Sequence, residues 1–116
     1  MINGFPEETK PLTDYEQNEL LPIIVRGLSI AVGEGKAVTS MHICKRLKEK
    51  RYKIDPPRLR KVINHIRTQG IIKGLIATSK GYYIADDRSQ IILYAESLQQ
   101  RIKAINQVRE ALLSNI

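Results

Sequence analysis

The residues best equipped for chemistry in this sequence are its lysines and arginines, and most of them fall in one stretch. The range 36–80 holds 13 of the 19 basic residues but only two of the 12 acidic ones. Its formal charge is +11, whereas the other 71 residues carry −4, which gives the whole-chain value of +7. So sharp a separation creates a strong positive potential on one part of the surface, whose usual partner is a phosphate backbone. A solvated basic face without a partner is the alternative.

Within this stretch, the range 56–69 is predicted to form a helix whose ends are marked by local chemistry. Asp55 can cap the amides of the first turn, where the prolines at positions 56 and 57 lose no hydrogen bond. Gly70 suits a left-handed stop after the last turn. The apolar residues recur at helical spacing and must face the core. They are Leu59, Val62, Ile63 and Ile66.

The outward side of this helix carries hydrogen-bond donors and no acidic residue. Arginine and lysine can pair with O6 and N7 of guanine, and asparagine with N6 and N7 of adenine. A recognition helix usually reads bases with its first half, so we expect this side to contact base edges. The candidates are Arg58, Lys61 and Asn64 first, then Arg60 and His65, with Thr68 on the same side.

A small hairpin is predicted to follow this helix. The range 71–77 is rich in β-branched residues, the range 82–85 would be the returning strand, and the polar turn 78–81 ends in a glycine. Side chains alternate along a strand, so only one of Tyr82 and Tyr83 can face outward. The sequence does not tell which of the two it is.

Phosphate contacts are expected from the hairpin turn and from an earlier helix. Such a turn commonly lies over the sugar–phosphate backbone, so we assign Ser79 and Lys80 to phosphates, with Lys73 as a further candidate. Ser40 and Lys45, near the start of the preceding helix, could hold phosphates through a backbone amide and a side chain.

The elements before the basic helix are predicted from their caps and breakers. Thr13 and Glu16 fit a capping box at the start of the first helix. Pro22 either kinks this helix or marks its start near residue 21, because an interior proline loses a hydrogen bond and clashes one turn back. A very short strand at 37–38 and a second helix over about 40–51 follow.

The range 88–114 is predicted to be one long helix with an apolar seam. It contains no proline or glycine and would be about 40 Å long at 1.5 Å per residue. A small helical core can cover part of that length, so we expect the rest to meet a second copy in a two-fold dimer. Packing of the seam back against the first helix is the alternative. The predicted dimer interface is Ile91, Ala95, Leu98, Ile102, Ile105 and Leu112.

The sequence contains few of the features typical of metal-binding proteins, enzymes, or membrane and secreted proteins. Its one cysteine, Cys44, allows no internal disulfide, and together with only two histidines it argues against a zinc site. We expect Cys44 to be a small core residue. There is no phosphate-binding loop, nucleophile elbow or carboxylate pair in an apolar setting, so we expect no enzyme, cofactor or metal. With no apolar run long enough for a bilayer and no secretory signal, a cytoplasmic, nucleoid-associated protein is expected.

The run from Arg60 to Ile72 resembles the recognition helix and first wing strand of winged helix-turn-helix DNA-binding proteins. The continuation over 75–84 is similar to small winged-helix proteins of bacteria and their phages. The resemblance implies DNA binding through the third helix and the wing, often as a dimer built on a terminal helix. The very short wing departs from the pattern and does not suit deep insertion into the minor groove. The matching positions are Ile63, Ile66, Arg67, Gly70 and Ile72.

We therefore expect an α+β, mainly α fold: a winged helix-turn-helix with a three-helix core, a small β-hairpin wing and a long C-terminal helix. Residues 1–12 would be an irregular lead-in, 13–86 the winged-helix domain and 87–116 a dimerisation element. The expected function is sequence-selective binding of double-stranded DNA in transcriptional, phage or plasmid regulation, with the range 56–69 in the major groove and 78–81 on the backbone. The alternative is a winged-helix adaptor that docks onto a replication or recombination protein.

Overall fold

Helices make up most of the chain in the computed structural model, which describes residues 9–116. They are accompanied by one antiparallel sheet of two strands, which confirms the mainly helical α+β composition and the predicted order of elements. The elements are a π-helical turn Glu16–Leu20, α1 (Leu21–Leu28), a 3₁₀ turn Glu34–Lys36, α2 (Ser40–Glu49), α3 (Pro56–Thr68), β1 (Leu75–Thr78), β2 (Gly81–Ile84) and α4 (Arg88–Ser114). Of the predicted lead-in, residues 1–8 lie outside the described part.

The chain enters its first helix through the expected capping box. The Thr13 amide donates to Glu16 Oε1 at 2.9 Å, and the Glu16 amide donates to Thr13 Oγ1 at 3.2 Å. The helix then widens, and the Leu21 amide donates to the Glu16 carbonyl five residues back. A proline ring clashes with the carbonyl four residues before it, and a π-helical turn gives that carbonyl more room. The helix therefore continues through Pro22 instead of starting beside it.

One apolar core lies between α1, α2 and α3. The four α3 residues expected to face it are all 2% exposed or less, which confirms the predicted core side of that helix. Cys44 is buried among the core residues, as expected, and burial raises the pKa of its thiol. The side chains buried most completely are Leu20, Leu28, Leu59, Val62, Ile63 and Ile66.

The two strands form a tight hairpin that packs one face on this core. Leu75 pairs with Ile84 at the open end, and residues 79–80 form the turn. Tyr82 is half-buried against the core, whereas Tyr83, on the opposite face of the hairpin, is 5% exposed. The two side chains lie on opposite faces of the hairpin, as alternation predicts, and Tyr82 is the more exposed of the two.

The first strand begins four residues later than the composition of 71–77 predicted. The Ile71 amide donates to the Ile66 carbonyl at 3.0 Å and so closes the end of α3. Gly70 and Gly74 have positive φ angles of 66° and 75°, so the chain turns twice before it extends. Gly70 is the left-handed stop that the sequence predicted.

Gly81 lets the hairpin meet the segment before α2. Val38 and Tyr82 exchange two backbone hydrogen bonds of 2.9 Å and 2.8 Å, so the short strand expected at 37–38 is present as a bridge at Val38. A Cβ on Gly81 would lie 2.5 Å from the Val38 carbonyl carbon, and Gly81 has a φ of 120°. Both the close approach and the backbone conformation require glycine here.

The last helix has the predicted bounds and is capped by Asp87. The Gln90 amide donates to Asp87 Oδ1 at 3.2 Å, and the Ser89 hydroxyl donates to the same oxygen. The bonds from Ser89 and Gln90 hold the pKa of the Asp87 carboxyl below its usual value. The chain divides into two compact units, one ending at Ala85 and the other spanning Asp86–Ile116.

Candidate nucleic-acid interface

Three charged side chains meet where the π-helical turn lies against α3. Glu16 and Lys61 are only 3% and 4% exposed. Lys61 Nζ lies 2.7 Å from Glu16 Oε1, and Arg58 Nε donates to Glu16 Oε2 at 3.0 Å. We call Glu16, Arg58 and Lys61 the Glu16 cluster. Each carboxylate oxygen has a cationic partner, so the buried charge of Glu16 is fully compensated.

Arg58 is held on several sides in addition to Glu16. One terminal nitrogen donates to the Lys53 carbonyl at 3.1 Å, and the guanidinium lies 5.5 Å from the centre of the Tyr15 ring. The Tyr15 hydroxyl accepts from the Lys53 amide at 2.8 Å. These contacts join the start of the first helix to the loop before α3 and to the first turn of α3.

The ionisation of Glu16 reflects two opposing influences. Burial raises the pKa of its carboxyl, but the hydrogen bond from Lys61 acts in the opposite direction. The Thr13 amide, the positive charge of Lys61 and the Arg58 hydrogen bond add to this, so the pKa lies below its usual value. Glu16 is therefore a carboxylate at neutral pH, which is the state that both cations require.

The expectation that Lys61 points outward is wrong. The helical wheel places Lys61 opposite the core stripe, but the wheel describes α3 alone. The chain that enters the first helix covers this flank of α3 and brings Glu16 onto it. A buried ammonium must be paired, so Lys61 is held by Glu16 and does not point to solvent, and removing either partner would leave a buried charge without a counterion. Arg58 is engaged by the same carboxylate and would have to break these bonds to contact DNA.

The flank of α3 that carries Arg60 remains accessible. Arg60 and Thr68 are exposed, whereas Asn64 and Arg67 are half-buried. Arg60, Asn64 and Arg67 are three, four or seven positions apart and so lie on one side of the helix, and Thr68, four positions after Asn64, lies at the edge of that side. The Thr68 hydroxyl donates to the Asn64 carbonyl at 2.9 Å, and its oxygen remains able to accept. His65 is half-buried on the flank that Arg58 and Lys61 occupy.

Arg67 was not among the candidates that the sequence suggested, although it shares this accessible side. Its spacing of seven residues from Arg60 and three from Asn64 is the signal that could have identified it. We call Arg60, Asn64, Arg67 and Thr68 the outer row of α3. With Lys61 buried, the outer row holds the remaining candidates for base contact on this side of α3.

The remaining candidates lie on the hairpin and on α2. Ser79, Lys80 and Lys73 are all exposed, and Lys80 Nζ lies 3.4 Å from an oxygen of Glu34. Both side chains of this pair are largely exposed, so the pair is weak and leaves Lys80 able to bind a phosphate. Lys45 is exposed. Ser40 is half-buried in the first turn of α2, and the N-cap is Thr39, which accepts from the His42 amide.

The basic stretch keeps most of its charge at the surface. Ten of the 13 basic residues in the range 36–80 are exposed, Arg58 and Arg67 are half-buried, and Lys61 is buried. The two acids of this range, Glu49 and Asp55, are exposed too, and Asp55 caps α3 by accepting from the Arg58 amide at 2.9 Å. Most of the positive charge predicted from the sequence therefore lies on side chains at the protein surface.

The predicted dimer seam on α4 is accessible. No residue of α4 is buried. Ala95 is exposed and Leu98 is half-buried. The larger seam residues are 45 to 64% exposed and comprise Ile91, Ile102, Ile105 and Leu112.

Comparison with known proteins gives no family, because no protein-family model, curated protein or solved structure matches the chain. Among residues 9–116, every helix is too short or too polar to cross a membrane.

Proposed function

We propose that this protein is a winged helix-turn-helix that binds double-stranded DNA and acts as a transcriptional, phage or plasmid regulator. In this proposal α3 enters the major groove and the hairpin turn lies on the sugar–phosphate backbone. The order of elements, with two helices before α3 and a hairpin after it, supports this arrangement.

The observation that carries the proposal is the outer row of α3 within its basic surroundings. Two arginines on one side of a helix suit the O6 and N7 acceptors of guanine, and an asparagine suits the N6 donor and N7 acceptor of adenine. Exposed lysines on α2 and the hairpin, with Lys45 and Lys73 among them, would supply contacts to phosphates. Base selectivity would then come from Arg60, Asn64 and Arg67, and most of the affinity from phosphates.

A salt titration of DNA binding tests the proposal. The full chain should bind a duplex of random sequence at low ionic strength. The logarithm of Kd should change linearly with the logarithm of the salt concentration, because phosphates that bind the protein release counterions. Five phosphate contacts would give a slope of about 4 to 5. The measurement is fluorescence anisotropy with a labelled duplex of about 20 base pairs, which covers two helical turns. A salt-independent affinity, or no binding at low salt, would contradict the proposal.

We also propose that the α4 seam joins two copies of the chain. An apolar stripe of this length on one helix is typical of a coiled-coil partner, and a second copy offers the same stripe. The seam from Ile91 to Leu112 is about 32 Å long at 1.5 Å per residue. Two copies would place two DNA-binding units on one duplex.

Charge placed in the seam should separate the copies. The double change Ile102→Glu and Ile105→Glu is expected to weaken the dimer at least about 100-fold, since it buries four carboxylates at one interface. Sedimentation equilibrium measures this, and Gln100→Glu with Gln107→Glu on the opposite side of α4 is the control with the same added charge. A monomeric wild-type chain at micromolar concentration, or equal behaviour of both variants, would refute the seam as an interface.

A further inference from the structure

A groove between α1 and α2 combines an apolar base with a cationic edge. Its volume is about 400 Å³. At its base lie Ile24, Leu28 and Leu47, which belong to the core and are at most 5% exposed. Ile30, at its margin, is 76% exposed. The groove is therefore a place where the core of the protein comes within reach of a ligand.

The edge of this groove is strongly positive. Within the described part of the chain, none of the residues that line it is acidic. His42, Arg46 and Lys50 recur every four residues along α2 and its C-cap, which makes a row about 12 Å long. Arg46 makes a loose contact of 4.0 Å with Glu49, and both side chains are about 60% exposed, so this pair is weak. Arg26 and Lys36 add two more exposed basic side chains to the lining.

Gly27 keeps the α1 side of the groove open. It lies within α1, where glycine is less favourable than alanine. A Cβ at this position would meet nothing within 4 Å, and the φ of Gly27 is not positive. Neither packing nor backbone geometry within the chain therefore explains the glycine. Glycine does allow another backbone to approach a helix closely.

We propose that this groove binds an amphipathic helix of a partner protein. The apolar side of that helix would lie along α1, with Gly27 at the point of closest approach. Its acidic side chains, four residues apart, would face the row of His42, Arg46 and Lys50. The four cations that line the groove are Arg26, Lys36, Arg46 and Lys50, and such a set fits an acidic helix with several carboxylates better than a small anion, which would engage only one or two of them.

A designed helix provides the test. The probe is a fluorescein-labelled, end-capped peptide of about 16 residues, with leucine at i, i+3, i+4 and i+7 and glutamate along one edge. Titration with the full chain should give a saturable rise in anisotropy. Gly27→Leu, which fills the groove, and Arg46→Glu with Lys50→Glu should each weaken binding at least tenfold. The same peptide with lysine in place of glutamate should not bind.

Matched variants separate the groove from changes in folding. Gly35→Leu adds the same side chain at a glycine that also has open space around its Cβ position but does not line the groove, so it should bind like the wild type. Ile30→Glu changes a highly exposed residue. It should weaken binding of the acidic peptide at least tenfold and leave the circular dichroism spectrum of the protein unchanged. No saturable binding, or equal binding by Gly27→Leu and Gly35→Leu, would overturn the proposal. If the chain bound decanoate but not the acidic peptide, and Gly27→Leu abolished that binding, the proposal would also be overturned in favour of a small amphiphile as the ligand.

Discussion

Replacing Lys61 by glutamate is expected to prevent the protein from folding. The new carboxylate would stand where the ammonium now lies 2.7 Å from Glu16, in a position that is 4% exposed. Breaking a buried ion pair by removing one partner costs about 3–5 kcal/mol, and a like charge adds repulsion. That loss approaches the whole free energy of unfolding of a small domain, about 5–15 kcal/mol. Far-UV circular dichroism and urea unfolding measure it.

Two further variants control for charge and for side-chain length. Lys61→Met keeps a long apolar side chain and leaves Glu16 with Arg58 as a partner, so it should lose about 2–4 kcal/mol of the free energy of unfolding. Lys73→Glu makes the same charge reversal at an exposed lysine and should change that free energy by less than about 0.5 kcal/mol. If Lys61→Glu unfolded at the same urea concentration as Lys73→Glu, Lys61 would be a surface residue.

Acid provides an independent check on the same cluster. The pKa of Glu16 is lowered in the folded chain from an ordinary value of 4.5. A group whose pKa is lower when folded contributes stability above its unfolded pKa, and this contribution is lost as the pH falls through the folded pKa. The wild-type chain should therefore lose stability below about pH 4.5, and Glu16→Gln should show a smaller loss over that range.

Reversing the charges of Arg60 and Arg67 should abolish selective DNA binding while the fold persists. Both arginines lie on the outer row of α3, and each arginine paired with a guanine contributes about 1–3 kcal/mol of discrimination. The double change to glutamate also places two anions against the DNA, so affinity should fall at least about 100-fold. Anisotropy titration at low salt measures this, and circular dichroism checks the fold.

The control for this experiment must carry the same net charge. Arg88→Glu with Lys103→Glu alters α4 by the same amount and leaves α3 intact, so affinity should fall only modestly. Equal losses in the two double variants would mean that DNA responds to the total charge and not to α3. Unchanged affinity in the Arg60 and Arg67 variant would remove α3 from the interface.

Local chemistry explains which parts of the fold could be predicted. The caps at Thr13, Asp55 and Asp87 each join residues three positions apart, so the sequence shows them without tertiary information. The core side of α3 follows from its apolar period. Gly70 likewise marks a position with a left-handed backbone conformation, which few other residue types adopt. The caps of these helices and the left-handed stop after α3 were therefore accessible from pattern alone, whereas the path through Pro22 was left open and the second helix ends at Glu49, before the predicted 51.

The error at Lys61 has a tertiary origin, whereas the error at the start of β1 is local. Lys61 appears outward on a wheel of α3, and only the placement of a segment 45 residues earlier buries it. The sequence identified Glu16 as the acidic residue of the capping box. It did not indicate that the same carboxylate also pairs with Arg58 and Lys61. The late start of β1 arises because Ile71 closes the end of α3, which the β-branched composition of 71–77 does not reveal.

The Glu16 cluster has a consequence for redesign. A recognition helix is often treated as an exchangeable cassette, but a graft that replaced all of α3 here would discard Arg58 and Lys61 and leave Glu16 as a buried anion without a counterion. If α3 acts as the proposed recognition helix, any attempt to retarget the protein must therefore carry Arg58 and Lys61 across unchanged. Substitution would then be confined to Arg60, Asn64, Arg67 and Thr68, the four positions of the outer row.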